Sequence, residues 1–282
     1  MSDWQPSAVQ QQRLATERRL RTRSLLLSTV ASLVVFGLLA LVLVTSPGWE
    51  RVKETFFDAA EARKVFPAVL KGFWLNVRLF LLAEPLILAL GLAVALARVS
   101  TAAVLAPVRI VAVVYTDLFR GLPTILVVLL VGFGVPALNL QGLTKSLFWL
   151  ALVALVLSYG AYVAEVFRAG IQSIHPSQIA SATALGLSHA QAMRHVVVPQ
   201  AVRRVLPPLL NDFISLQKDT ALVITLGLFD ALGTASDSAN YDFNYTPYLV
   251  PAALFVALTV PLARLTDWLG HRAMERERAG SL

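Results

Sequence analysis

The sequence predicts an all-α, polytopic membrane protein with about six transmembrane helices. Three observations predict it. Of its 282 residues, 57% are hydrophobic and 15% charged, against roughly 45–50% and about 25% in soluble domains. Residues 24–49, 121–144, 146–164 and 243–263 carry no charge, and about 20 apolar residues let a helix cross roughly 30 Å of hydrocarbon. Finally, Lys and Arg crowd into alternate connections, the asymmetry that orients membrane helices.

Residues 1–23 form a basic tail containing Arg13, Arg18, Arg19, Arg21 and Arg23. Residues 24–45 are the first span. Their apolar run exceeds the roughly 7–15 residues of a signal-peptide core, and Ser46-Pro47-Gly48 is a poor cleavage site, so a retained helix is expected. Residues 46–70 connect on the outer side. There Trp49, Val52, Phe56 and Ala60 recur at helical spacing, which predicts an amphipathic turn or two on the membrane surface. Two further spans contain charges: 73–97 holds Arg78 and Glu84, and 205–229 holds Asp212, Lys218 and Asp219. Pro85, Gly91, Pro123, Gly132, Gly134 and Pro136 predict close, kinked packing. With a cytoplasmic N-terminus, the inside segments 1–24, 98–109, 168–204 and 264–282 hold fifteen Lys and Arg, and the outside segments 46–72, 136–146 and 229–247 hold six. Both termini are therefore expected in the cytoplasm, with 271–282 as the closing tail.

Composition excludes several functions. The chain has no Cys, hence no disulfide framework and no thiolate metal site. His175, His189 and His195 do not stand at metal-ligand spacing. The net charge of +7 suits cytoplasmic flanks beside anionic headgroups rather than nucleic acid. There is no P-loop, because Gly142-Leu143-Thr144-Lys145-Ser146 lacks the glycine spacing, so the chain is not expected to be an enzyme that hydrolyses ATP.

The longest inside connection, 168–204, is too polar to cross a bilayer. Its centre reads IASATALGLSHAQAMRHVVVP from Ile179 to Pro199. Ile179, Ala182 and Leu185 share one helical face. Pro176 can open a short helix after His175, and Gly186 can end it. Ser188 can cap a second helix, which Pro199 is expected to stop. Two short helices joined at a glycine make a knob suited to a partner's groove.

This loop resembles the EAA motif of ATP-binding-cassette importer permeases: E-A-A, three residues, G, nine residues, I-x-L-P. Here Gly186 is the glycine, and Val196, Val197, Val198 and Pro199 follow after nine residues. Ala180, Ser181 and Ala182 stand where Glu, Ala and Ala are usual, so the acidic contact to the ATPase is missing. The blocks FWLNVRLFLLAEPLILALGLAVALAR, YTDLFRGLPTILVVLL, YVAEVFRAGIQSI, PQAVRRVLPPLLNDFISLQKDTALVITLG and YTPYLVPAALFVALTVPLARLTDWL resemble the polar amino-acid branch of that family, in the family's order. The resemblance implies a type I importer core of five helices over 71–270, with 24–45 as an extra helix. It implies that Gln178, Ala180, Ser181, Ala182, Leu185, Gly186, Leu187, Ser188 and Pro199 couple to an ATPase. It further implies the partners: a cytoplasmic ATPase dimer carrying ATP and Mg, an external substrate-binding protein, and a second permease, identical or related. The chain would bind no cofactor of its own, and its place would be the bacterial inner membrane.

Ionisable groups at membrane depth are costly and mark paths or ion pairs. Asn211, Asp212, Ser215, Lys218 and Asp219 fall within about a third of a helix circumference, with Gln217 off the stripe. Asn211, Ser215, Lys218 and Asp219, with Glu84 and Arg120, are candidates for an amino-acid path. Glu84 could instead pair with Arg78, Arg120 or Lys218. Glu165 is expected to brace the loop by pairing with Arg168 or Arg203. The leading reading is the permease of an ATP-driven amino-acid importer; the alternative is an ion-coupled secondary transporter of a polar solute working through Glu84 and Asp219.

Overall fold

A computed structural model describes residues 7–279; the tail residues 1–6 and 280–282 lie outside the described residues. The chain divides into two units, 1–57 and 58–282.

In the first unit, α1 (Ala8–Val44) runs unbroken from the arginine-rich stretch into the apolar one. Arg, Gln, Leu and Ala all favour helix, so nothing in the sequence breaks it at residue 23. Its described side chains are all exposed. The short α2 (Trp49–Phe56) carries a Glu50–Lys53 pair at 2.9 Å.

The second unit opens with α3 (Ala59–Val99), which starts fourteen residues before the expected span. The Asp58 carboxylate caps it, accepting from the N–H groups of Ala60 and Glu61 at 2.8 and 3.2 Å. A 3-10 turn (Ala103–Leu105) leads to α4 (Ala106–Gly121), which begins within the connection expected over 98–109. The charge-free stretch 121–144 is not one helix. It contains α5 (Thr124–Leu129), a π-helical stretch (Leu130–Gly134) and α6 (Val135–Ala137). The helical run 103–121 meets 124–137 at a bend of 108°. Pro123 is the cause: it forces Leu122 into extended backbone, at φ −99° and ψ 137°.

Next come α7 (Leu147–Gln172), α8 (Pro176–Ala184), α9 (His189–Ala192), a π stretch (Met193–Val197) and α10 (Val198–Asp219). Pro199 does not stop the helix as expected. Helix continues through it, because the wider π turn just before it absorbs the carbonyl that the proline ring would otherwise strike. The same Val-Pro after five π residues recurs at Val135-Pro136. After α10 the chain tightens into a 3-10 run (Thr220–Leu226), turns at Gly227, and forms α11 (Ala231–Asp242) and α12 (Thr246–Ala279).

Among the described residues, four helices are long and apolar enough to cross a membrane, or five when the bent pair counts as one span. The stretch expected as a span at 205–229 is helical only to Asp219 as α-helix, and α10 carries Arg203, Arg204, Asp212, Lys218 and Asp219. The core of the second unit lies between α3 and α7, with Leu79, Ile87, Leu155, Val128 and Leu216 fully buried. Outside it, Leu81, Leu92, Ile110, Val111 and Val256 are exposed, as suits helices solvated by lipid tails.

Candidate functional site

The knob is built by local signals. Pro176 occupies the first turn of α8, and the His175 ring nitrogen Nδ1 accepts from Ser177 N–H at 3.2 Å. At the other end, Leu187 N–H donates to the Ala182 carbonyl and Gly186 N–H to the Thr183 carbonyl, at 3.1 and 2.9 Å. This is a Schellman closure, and it requires the left-handed backbone that Gly186 adopts, φ +85°. Ser188 and Gln191 then form a reciprocal capping box: Ser188 N–H donates to Gln191 Oε1 at 2.8 Å, and Gln191 N–H to Ser188 Oγ at 3.3 Å. Ala182 points inward at 4% exposure, while Leu185 is 84% exposed. Gln178, Ala180, Ser181, Ser188 and Pro199 are also exposed, and Leu187 is half-buried. The side chain of His189 lies outside the described residues.

The feet of the knob are tied together. Ile174, Val197 and Ala201 form a small buried cluster with Ile171, Ile179 and Met193 packed on it. The Arg204 guanidinium donates to the Ser173 carbonyl, joining the start of α10 to the end of α7. Two turns up α7, Glu165 gathers three arginines. Its Oε1 meets Arg168 Nη2 at 2.5 Å; its Oε2 meets Arg98 Nη1 at 2.8 Å and stands 3.8 Å from Arg120 Nη1. Arg168 was expected as a partner; Arg98 and Arg120, from the ends of α3 and α4, were not. Arg204, rather than Arg203, makes the tie to the loop.

The candidate path residues are dispersed. The Tyr159 hydroxyl donates to Asp219 Oδ2 at 2.8 Å. Lys218 and Asn211 are exposed on α10, and Ser215 is half-buried. Asn211 borders a cleft of about 200 Å³ with Thr266 and Asp267 of α12. Glu84 lines a mostly apolar cavity of about 280 Å³ with Thr266, among Leu88, Leu209, Phe213 and Leu265. Among the described residues no cation pairs with Glu84: Arg78 lies 5.2 Å over the Phe148 ring, and Arg120 goes to Glu165. Gln217, off the stripe, is buried and accepts from the Thr259 hydroxyl at 2.6 Å.

Sequence reasoning passed over a buried polar junction. Asn76 Nδ2 donates to the Thr220 carbonyl at 3.1 Å and to Asp230 Oδ2 at 2.9 Å, while its Oδ1 accepts from Ala231 N–H at 3.1 Å. The signal available was a lone amide inside the apolar block FWLNVRLF.

The sequence model of the binding-protein-dependent transport system inner membrane component matches residues 89–275. An arginine transport system permease of Bacillus subtilis is 34% identical over 211 residues, covering 75% of this chain and 92% of that protein. A probable glutamine ABC transporter permease of Bacillus subtilis is 30% identical, covering 73% and 94%. A solved amino acid ABC transporter, crystallised with histidines, superposes with a TM-score of 0.69 at 32% identity, covering 76% of this chain and 98% of its own.

Proposed function

The chain belongs to the binding-protein-dependent transport inner membrane components, and on that premise we propose how it works as the permease subunit of an amino-acid importer. It is a multi-pass inner-membrane protein, and its family role is membrane transport without catalysis. A separate cytoplasmic ATPase dimer, holding ATP and Mg, grips the knob at Gln178–Ser188 and drives alternating access. An external binding protein delivers the solute, and a second permease, identical or related, completes the pore. Both termini face the cytoplasm.

The observation that carries this reading is the α8 knob: a Schellman-closed turn followed at once by a capping box, with Leu185 presented outward and both feet tied to long helices. Such a bump is stiff enough to transmit a push. The substrate is a polar amino acid. Asn211, Ser215, Lys218, Asp219 and Glu84 mark its path, with Arg120 at the inner mouth. Support comes from the carboxylate of Glu84, which has no cation partner among the described residues, and from relatives named for arginine and glutamine.

The test is purification of the tagged chain with its operon partners, followed by uptake of arginine and glutamine into liposomes. An ATPase subunit should accompany the chain, and uptake should require ATP. Gly186→Val should abolish uptake, since a β-branched residue resists the left-handed backbone. Uptake by the lone chain on a proton gradient, or unchanged ATP-driven uptake in the Gly186 variant, would overturn the reading.

A further inference from the structure

Resting on the permease reading, we propose that Glu165 is a positioning residue that carries movement of the knob to α3 and α4 by exchanging between Arg98 and Arg120.

The knob is continuous with the end of α7 and the start of α10 through the Ile174–Val197–Ala201 cluster and the Arg204–Ser173 tie. A push on it therefore moves those two helices directly. α3 and α4 end at the same level but belong to neither foot of the knob. The charged links from α7 to their ends converge on one carboxylate. Arg168, three residues on in the same helix, grips both oxygens, Nη2 on Oε1 and Nε on Oε2, and this two-point contact fixes the plane of the carboxylate. Oε2 accepts from Arg168 Nε at 3.0 Å, and its remaining side lies between two neighbours, bonded to Arg98 at 2.8 Å and 3.8 Å from Arg120.

With Arg168 as a constant partner, Oε2 thus stands between a neighbouring-helix donor it has, Arg98, and one about one ångström too far, Arg120. A slide of that size between α4 and α7 reverses the preference. The Tyr162 hydroxyl, 3.4 Å from the Arg120 carbonyl, keeps the α4 end alongside α7. Exposure favours exchange: the side chains of Arg98, Glu165, Arg168 and Arg120 are 13, 22, 26 and 41% exposed. Each group keeps part of its surface outside the protein packing, so neither arginine is sealed in when it lets go. Two discrete arrangements of one ion pair, biased by the loop, form the kind of two-state element that coupling requires.

The experiment uses the reconstituted complex of permease, ATPase and binding protein, with radiolabelled arginine and glutamine as probes, and measures solute imported per ATP hydrolysed. Glu165→Gln should retain the ATPase subunit and hydrolyse ATP at a rate within about twofold of the parent, yet import about tenfold less per ATP, within the usual range of coupling. Arg120→Gln should lower the ratio in the same direction, and Arg98→Lys should leave it close to the parent's. If both Gln variants import per ATP as the parent does, the exchange is wrong. If Glu165→Gln sheds the ATPase subunit, Arg120→Gln decides: a ratio lowered equally for arginine and glutamine with the ATPase retained supports the exchange, and a parental ratio, or one lowered for a single solute as a path role would give, makes Glu165 merely structural. A parent complex that contains no ATPase overturns the permease reading and this proposal with it.

Discussion

α3 is held by polar groups near its middle and again at its C-terminal end, and the two ties are built from opposite chemistry. Near the middle, Asn76 at 1% exposure joins the Thr220 carbonyl, the Asp230 carboxylate and the Ala231 N–H. Asp230 is fully buried and also accepts from Gly233 N–H at 2.8 Å. At the end, about 33 Å further along the helix, Arg98 meets Glu165 with side chains that keep 13 and 22% exposure. Buried hydrogen bonds are expensive to break, because the groups left behind have no water to turn to. Ion pairs that water can reach break cheaply. The middle of α3 is thus fixed, and its end, beside the knob, is free to change partners.

Three substitutions break or sharpen that contrast. The largest effect is expected from Asn76→Ala, which leaves the Asp230 carboxylate, the Thr220 carbonyl and the Ala231 N–H short of partners at a cost of about 3 kcal/mol. Thermal unfolding in detergent should show a clear drop in Tm; a parental Tm would mean the junction is wetter than its burial indicates. Gly72→Ala comes next. Its Cβ would lie 2.5 Å from the carbonyl group of Asp230, so the helix and the turn must part at a cost of about 2 kcal/mol. The smallest effect on stability is expected from Arg98→Ala, at about 1 kcal/mol or less, because Arg120 can move in. That difference should shrink further as salt is raised. An Arg98 variant that unfolds as readily as the Asn76 variant would erase the distinction between the two ties.

Legibility in the sequence followed the range of the interaction. The knob was readable to within a residue or two, because Pro176, Gly186 and Ser188 act on backbone a few positions away. Pro199 misled for the same reason. The local rule says stop, and the π turn from Met193 to Val197 let the helix continue. The charge-free run 121–144 likewise concealed the bend at Pro123, since apolar character alone cannot say whether a span is straight. Tyr159 with Asp219, sixty residues apart, and Asn76 with Asp230, 154 apart, left no periodic trace to find.

The sequence by itself determined the all-helical membrane class and the bihelical loop: apolar run length and turn chemistry are properties of neighbouring residues, and water and lipid read them before any packing occurs. Only the tertiary structure decided which charges meet. Glu165 could have taken Arg168 alone or reached for Arg203, and the side-by-side packing of α3, α4 and α7 delivered Arg98 and Arg120 to it instead. Pairing of that kind depends on where distant helices come to rest, which no spacing along the chain encodes.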